Sequence, residues 1–167
     1  DPLPDFTGVN NRDRMVKSAE MAGGISQTPD ISWLVNGAAQ TEDPAVMIND
    51  KQYAVLAPGC SLAKPQKRWP ADRFAAIGNE LVSRGFEIVL VGTADDREAV
   101  NAVLAASPDA INLCGKTNLV TLARLLGGAA FVIGNDSGPM FLAARTGVPI
   151  LMIMGPDTDP TMSAPKG

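Results

Sequence analysis

From residue 52 onward the chain alternates between two kinds of segment, and this alternation restricts its fold more than any other feature. "QYAVLA", "FEIVLVG", "AINLCG", "AFVIG" and "PILMIMG" are short runs, too uniformly apolar for strands with one wet face. Between them lie "PADRFAAIGNELVSRG", "DDREAVNAVLAAS", "NLVTLARLLGGA" and "PMFLAARTG", which have helical length and spacing. Phe74, Ile77, Leu81 and Val82 share a face of the first, and Ala99, Val100, Val103 and Leu104 a face of the second. Gly85 and Gly147 are the stops that follow the first and last helices. Buried strands alternating with such helices predict an α/β fold: a doubly wound, Rossmann-like parallel sheet with helices on both faces. The size, 167 residues, suits one domain, and 46% hydrophobic residues suffice for a sheet buried on both sides.

Residues 1–51 lack this rhythm. They carry Pro2, Pro4, Pro29 and Pro44 and one modest helix near "RDRMVKSAEMAG", where Met15, Val16, Ala19 and Ala22 fall at helical spacing before Gly23-Gly24. "PDISWL" is expected to dock on a neighbouring surface. The stretch reads as an arm or linker, and 52–167 as the ligand-binding domain.

Several function classes drop out on composition. Histidine is absent, which removes Ser-His-Asp and Cys-His catalysis and histidine-based metal sites. Two cysteines, Cys60 and Cys114, make no disulfide framework and read as free thiols in a reducing cytoplasm. No metal or other cofactor is expected. A net charge of −4 argues against a nucleic-acid partner. No apolar run is long enough to span a membrane. The first residue is Asp rather than Met, so the natural start is expected to lie upstream.

Ligands of open α/β sheets bind beyond the carboxyl ends of the strands. Those ends read "PGCSLAKPQKRW", "GTADD", "CGKTN", "GNDSG" and "GPDTD". "AINLCGKT" imitates a phosphate loop, but Ala110 replaces the first glycine and "INLC" reads as strand, so the NTPase reading fails. No G-x-G-x-x-G follows any strand. Asn135-Asp136-Ser137 is formally a glycosylation sequon, read as accidental in so tight a turn. Lys64, Lys67, Arg68 and Arg73 cluster in an otherwise acidic chain. A solvated loop is the usual explanation, but Trp69-Pro70 ties this one to a helix start, which suits cations positioned for a diphosphate. Asp95 or Asp96 suits a helix cap, or an acceptor for ribose hydroxyls. Ser137, Gly138 and Pro139 suit a helix N-terminus, which would also present unpaired N–H groups to an anion. With a cationic loop on a nearby strand end, anion binding is the preferred reading.

Taken together, "PGCSLAKPQKRWPADRFAAI", "VLVGTADD" and "NLCGKTNLVTLARLLGGAAFVIGNDSGPMFLAARTGVPILMIMGPDTDP" resemble the family 9 glycosyltransferases, the ADP-heptose:lipopolysaccharide heptosyltransferases. The resemblance runs from about residue 52 to 167, and "KRWP" and "NDSGPM" are its most specific parts. It implies the C-terminal, donor-binding half of a two-domain GT-B enzyme, with 1–51 as an interdomain arm. It implies that Ser61 and Lys67 hold the donor phosphates, with Arg68 also at the substrate. Asp96 would lie near the ribose and Thr117 near the base. Asp136 would reach the sugar hydroxyls, and Ser137, Gly138, Pro139 and Met140 would line the phosphate turn.

The chemistry implied is inverting, metal-independent glycosyl transfer, with Lys67 stabilising the leaving diphosphate. The donor would be an ADP-sugar. The acceptor, a glycan or glycolipid, and the general base would belong to an N-terminal domain outside this sequence, and a final segment is expected to follow residue 167. This piece alone would then be inactive, and the full enzyme cytoplasmic and peripheral to the inner membrane. Phe141 departs from the pattern, because the family commonly has histidine there, as "GPMHLAA". Either Phe141 packs inward and the change is silent, or the donor is altered or transfer activity reduced; the latter reading is preferred. A sugar-nucleotide epimerase of the same architecture and a non-catalytic binding module stay open as alternatives.

Overall fold

The computed structural model describes residues 5, 7–27, 30–36, 48 and 51–165. Pro2, Pro4, Pro29 and Pro44 lie outside them. Helices α1 (Asn11–Met21) and α2 (Ser32–Asn36) precede the alternating region. Then follow β1 (Tyr53–Ala57), α3 (Ala71–Ser83), β2 (Glu87–Leu90), α4 (Arg97–Ala106), β3 (Ile111–Asn112), α5 (Leu119–Gly128), β4 (Phe131–Asn135), α6 (Gly138–Thr146), β5 (Ile150–Ile153) and α7 (Pro160–Ser163). Short 3₁₀ turns at Pro65–Lys67 and Ala94–Asp96 lie before α3 and α4.

The five strands form one sheet in the order β3-β2-β1-β4-β5, with every pairing parallel. Strand alternation explains why both faces are covered. Ala54 and Leu56 point one way, joining Ile88, Leu90 and Ile133 against Phe74, Val100 and Val103 of α3 and α4. Val55 and Ala57 point the other way, joining Val89 and Val132 against Leu125, Leu126, Met140 and Ala143 of α5 and α6. β1 and β4, buried on both faces, are interior strands, whereas β5 is as apolar in sequence but lies at the edge of the sheet, with Leu151 55% exposed.

In α3 and α4 the expected helix faces hold with one exception. Phe74, Val100 and Val103 are fully buried, whereas Val82 lies at the rim, 38% exposed. Gly85 and Gly147 carry positive φ, 90° and 81°, and end α3 and α6 as read.

The stretch before residue 51 is less detached than an arm. Leu34 of α2 is buried where that helix packs on α5, and Ile48 is buried within the core. Trp33 beside Leu34 remains exposed. In α1 the helical spacing does not produce a buried face: Met15 is 74% exposed and the helix has no buried residue. Asn10 fastens it instead, donating to the carbonyls of Thr161 (3.2 Å) and Ala164 (3.1 Å) at α7.

Candidate functional site

After β1 the chain runs to β2 and β3 on one side, and β4 and β5 lie on the other. Adjacent strands whose onward connections diverge leave a crevice at their carboxyl ends. Here it is a cleft of about 730 Å³ over β1, β2 and β4. Its walls come from the loop after β1 (Gly59 to Leu62), the loop after β2 (Gly92 to Asp96), Gly115 to Leu122, and the start of α6 (Ser137 to Pro139).

Six of the residues singled out from the sequence line this cleft: Ser61, Asp96, Thr117, Ser137, Gly138 and Pro139. Asp96 reaches it by doing structural work as well. Its Oδ2 accepts from the backbone N–H and the hydroxyl of Thr93, both at 2.9 Å, which closes a capping box before α4. Its carboxylate also occupies the space a side chain on Gly59 would need, so that glycine permits the approach of β1 and β2 loops.

The start of α6 opens into the cleft. Ser137 occupies the N-cap position but makes no cap bond; its hydroxyl donates back to the Asn135 carbonyl at 3.1 Å. Pro139 has no N–H to satisfy. Nothing lies within 4 Å of the position where a Cβ on Gly138 would stand. The positive end of the α6 dipole thus meets the cleft without a side-chain cap.

The phosphate-loop imitation is a decoy in three dimensions too. The Gly115 N–H donates to Gly92 O at 2.8 Å and the Lys116 N–H to Leu113 O at 3.0 Å, so neither is free for an anion.

Four expected site residues do not line the cleft. Met140 is a core residue, 0% exposed, whose sulfur fills the space beside Gly134; spacing alone could not distinguish it from its cleft-facing neighbours. Arg68 turns toward the Cys60 carbonyl (3.5 Å), and its Nε is buried with no partner among the described residues. Lys67 donates to Asp136 Oδ2 at 2.5 Å, a pair whose side chains are only 14% and 9% exposed. Asp136 also accepts from the Thr158 hydroxyl at 3.2 Å. The bond to Asp136 raises the Lys67 pKa above its ordinary 10.5, with burial opposing. Lys64 is paired as well, with Asp157 at 3.4 Å. Half of the basic cluster is therefore neutralised locally.

A second cavity, about 410 Å³, is lined by Asp136, Phe141, Arg145, Asn10 and the 162–165 segment. Phe141 is 42% exposed there rather than packed inward. Asp136 and Ser137 are consecutive but face different cavities. Among the described residues no three acidic or cysteine side chains are grouped to hold a metal ion. Both cysteines are free and buried, and burial raises the Cys114 thiol pKa, so it stays protonated and inert. No helix of the described residues is long and apolar enough to cross a membrane.

Residues 14–166 match glycosyltransferase family 9 (heptosyltransferase). The chain belongs to that family. It is 30% identical over 129 residues to lipooligosaccharide heptosyltransferase 2 of Haemophilus influenzae, covering 74% of this chain and 37% of that protein. The solved ADP-heptose lipopolysaccharide heptosyltransferase II of E. coli superimposes with a TM-score of 0.64 at 28% identity, over 83% of this chain and 41% of the other. A family 9 glycosyltransferase from Veillonella parvula gives 0.72 at 25% identity, over 98% and 49%. The chain thus spans less than half the length of these family 9 relatives. The matched structures share its parallel sheet with flanking helices.

Proposed function

We propose that this chain is the C-terminal, donor-binding half of a GT-B glycosyltransferase, with residues 52–165 as the nucleotide-sugar domain. The observation that carries this reading is the uncapped N-terminus of α6 opening into a cleft at the topological switch point. A diphosphate seated at Gly138 would meet the Gly138 N–H and the helix dipole. The nucleoside would extend along the cleft toward Asp96 and Thr117, past the apolar Leu119 and Leu122. The sugar would lie toward Asp136 and the second cavity. The E. coli structural relative is an ADP-heptose lipopolysaccharide heptosyltransferase, which supports an ADP-heptose donor and a lipopolysaccharide-type acceptor here.

The reaction proposed is a single inverting displacement. The acceptor oxygen forms its bond to the anomeric carbon while the bond to the diphosphate breaks. The acceptor proton passes to a base on the other half of the enzyme. Negative charge grows on the departing diphosphate, where the α6 N-terminus lies and Lys67 is near, so this chain supplies electrostatic stabilisation without a metal. A cytoplasmic enzyme peripheral to the inner membrane fits such an acceptor.

Calorimetry with ADP on this chain tests the binding half of the proposal. Saturable 1:1 binding is expected, and its absence would remove the donor-site reading. Release of ADP from ADP-heptose by the full-length protein, with and without acceptor, tests the reaction. Release that does not depend on acceptor would count against transfer.

A further inference from the structure

The cleft residues account for only part of the polar chemistry at the switch point. Asn135, the last residue of β4, is 0% exposed, yet every polar atom of its side chain has a partner in a different loop. Its Nδ2 donates to Pro58 O at 2.7 Å, with a longer contact to Gly59 O at 3.5 Å. Its Oδ1 accepts the Trp69 N–H at 2.9 Å. Its own carbonyl receives the Ser137 hydroxyl. The amide orientation is fixed by these partners, because the reverse placement would set oxygen against a carbonyl and NH₂ against an N–H.

We infer that Asn135 is a positioning residue for the donor site, locking the β1 loop and the basic loop to the start of α6. The first of these loops continues from Pro58 into Cys60 and Ser61 on the cleft wall. The second carries Lys67 and Arg68 immediately before Trp69, whose ring is held edge-on against Phe74 at 5.2 Å. One buried side chain thus sets the separation of three segments that would meet one diphosphate. Only an amide of this length offers both the donor and the acceptor required. Aspartate keeps the acceptor but turns an oxygen toward Pro58 O; leucine keeps the shape but loses both bonds. A buried carbonyl or N–H left unpaired moves toward water, and the loop that carries it moves too.

This inference rests on the cleft being the nucleotide site, so its test has two arms. In the first, ADP affinity is measured for the wild-type chain, Asn135→Asp, Asn135→Leu and Tyr53→Phe. Tyr53→Phe removes a 2.7 Å bond to Leu125 O and is the control for lost stability away from the cleft. Both Asn135 variants should bind ADP at least about tenfold more weakly, and the control should bind as wild type. In the second arm, hydrogen exchange is followed at the Trp69 amide without ligand. It should stay slow in wild type and Asn135→Asp and accelerate by about tenfold or more in Asn135→Leu. Unchanged ADP affinity in the Asn135 variants, or an equal loss in the Tyr53 control, would overturn the positioning role. Should the wild-type chain fail to bind ADP, the donor-site reading falls, and Trp69 exchange alone decides whether Asn135 holds the loops. If Asn135→Leu does not fold, the isosteric Asn135→Asp carries the affinity arm, and fast Trp69 exchange in wild type overturns the lock.

Discussion

At the scale of single residues, the Lys67–Asp136 pair changes how the site must work. The lysine does not wait as a free cation; any phosphate that recruits it competes with a carboxylate 2.5 Å away. Removing one member of a largely buried pair leaves the other unpaired, so Lys67→Met should cost about 3 kcal/mol of stability. The pH dependence has a definite sign. The folded-state pKa of Lys67 is raised, so its contribution is fully present below the ordinary value of 10.5 and is lost as pH climbs through the folded value. Wild type and Lys67→Met should therefore differ in urea unfolding at pH 7 and converge only above the ordinary lysine range. Equal stability at pH 7 would show that the pair contributes nothing net. Phe141 belongs to the same scale. Its ring is partly exposed in the cavity beside Asp136, so a histidine there would present a donor toward a sugar or phosphate. Phe141→His should tighten ADP-heptose binding by roughly 1.5–3 kcal/mol if the bond goes to a charged oxygen. Equal affinities for the two proteins, with better binding of another nucleotide sugar, would point to a different donor.

At the scale of elements, α6 is held below its attainable stability. Its N-cap serine spends its hydroxyl on Asn135 O, Pro139 has no N–H, and the Met140 N–H bonds the Ser137 carbonyl at 3.0 Å, so within the first turn the Gly138 N–H is left for the cleft. Ser137→Asp should supply the missing cap and a favourable charge on the dipole, raising stability by about 0.5–1 kcal/mol. The same carboxylate would occupy the anion seat, so ADP binding should be lost. Thermal unfolding and calorimetry on one variant check both, and a variant that gains stability while keeping ADP would place the phosphate elsewhere. This element was legible in the sequence because Ser-Gly-Pro is a start signal whatever its use. The strands and long helices were legible for a similar reason, since uniform apolar runs and 3.6-residue spacing report burial directly. The pairing of Lys67 with Asp136 was not legible. It joins residues 69 positions apart in sequence through a geometry that only the sheet order creates. Asn135 was hidden for the same reason: read locally it is a polar residue in a turn, and its side-chain partners, Pro58 and Trp69 at the two ends of the β1–α3 connection, come within reach only once β1 and β4 lie side by side.

For the whole molecule, stability is unevenly distributed, and the sequence misled on where. Spacing in α1 suggested an apolar face, yet that helix buries nothing and Met15 stands in solvent. The central strands lie at the opposite extreme: Val55, Leu56, Val89 and Val132 are fully enclosed between two helical layers. A helix without buried apolar area gains little from the hydrophobic effect and depends on its end contacts. For α1 those include Asn10, which caps Arg12 N at 3.0 Å and bonds two carbonyls of α7. One side chain therefore links two short, weakly buried elements at opposite ends of the sequence. Asn10→Ala should release both together. Amide exchange in α1 and in α7 should accelerate, while amides of β1 and β4 keep their wild-type protection, because opening there requires the sheet itself to separate. The midpoint of global unfolding should move little, since the lost cap is worth only about 0.5–2 kcal/mol and acts on a segment that opens before the core. Faster exchange in α1 alone would mean that α7 is held by its own Asp159 cap, and faster exchange in β1 would mean that α1 is part of the cooperative core after all.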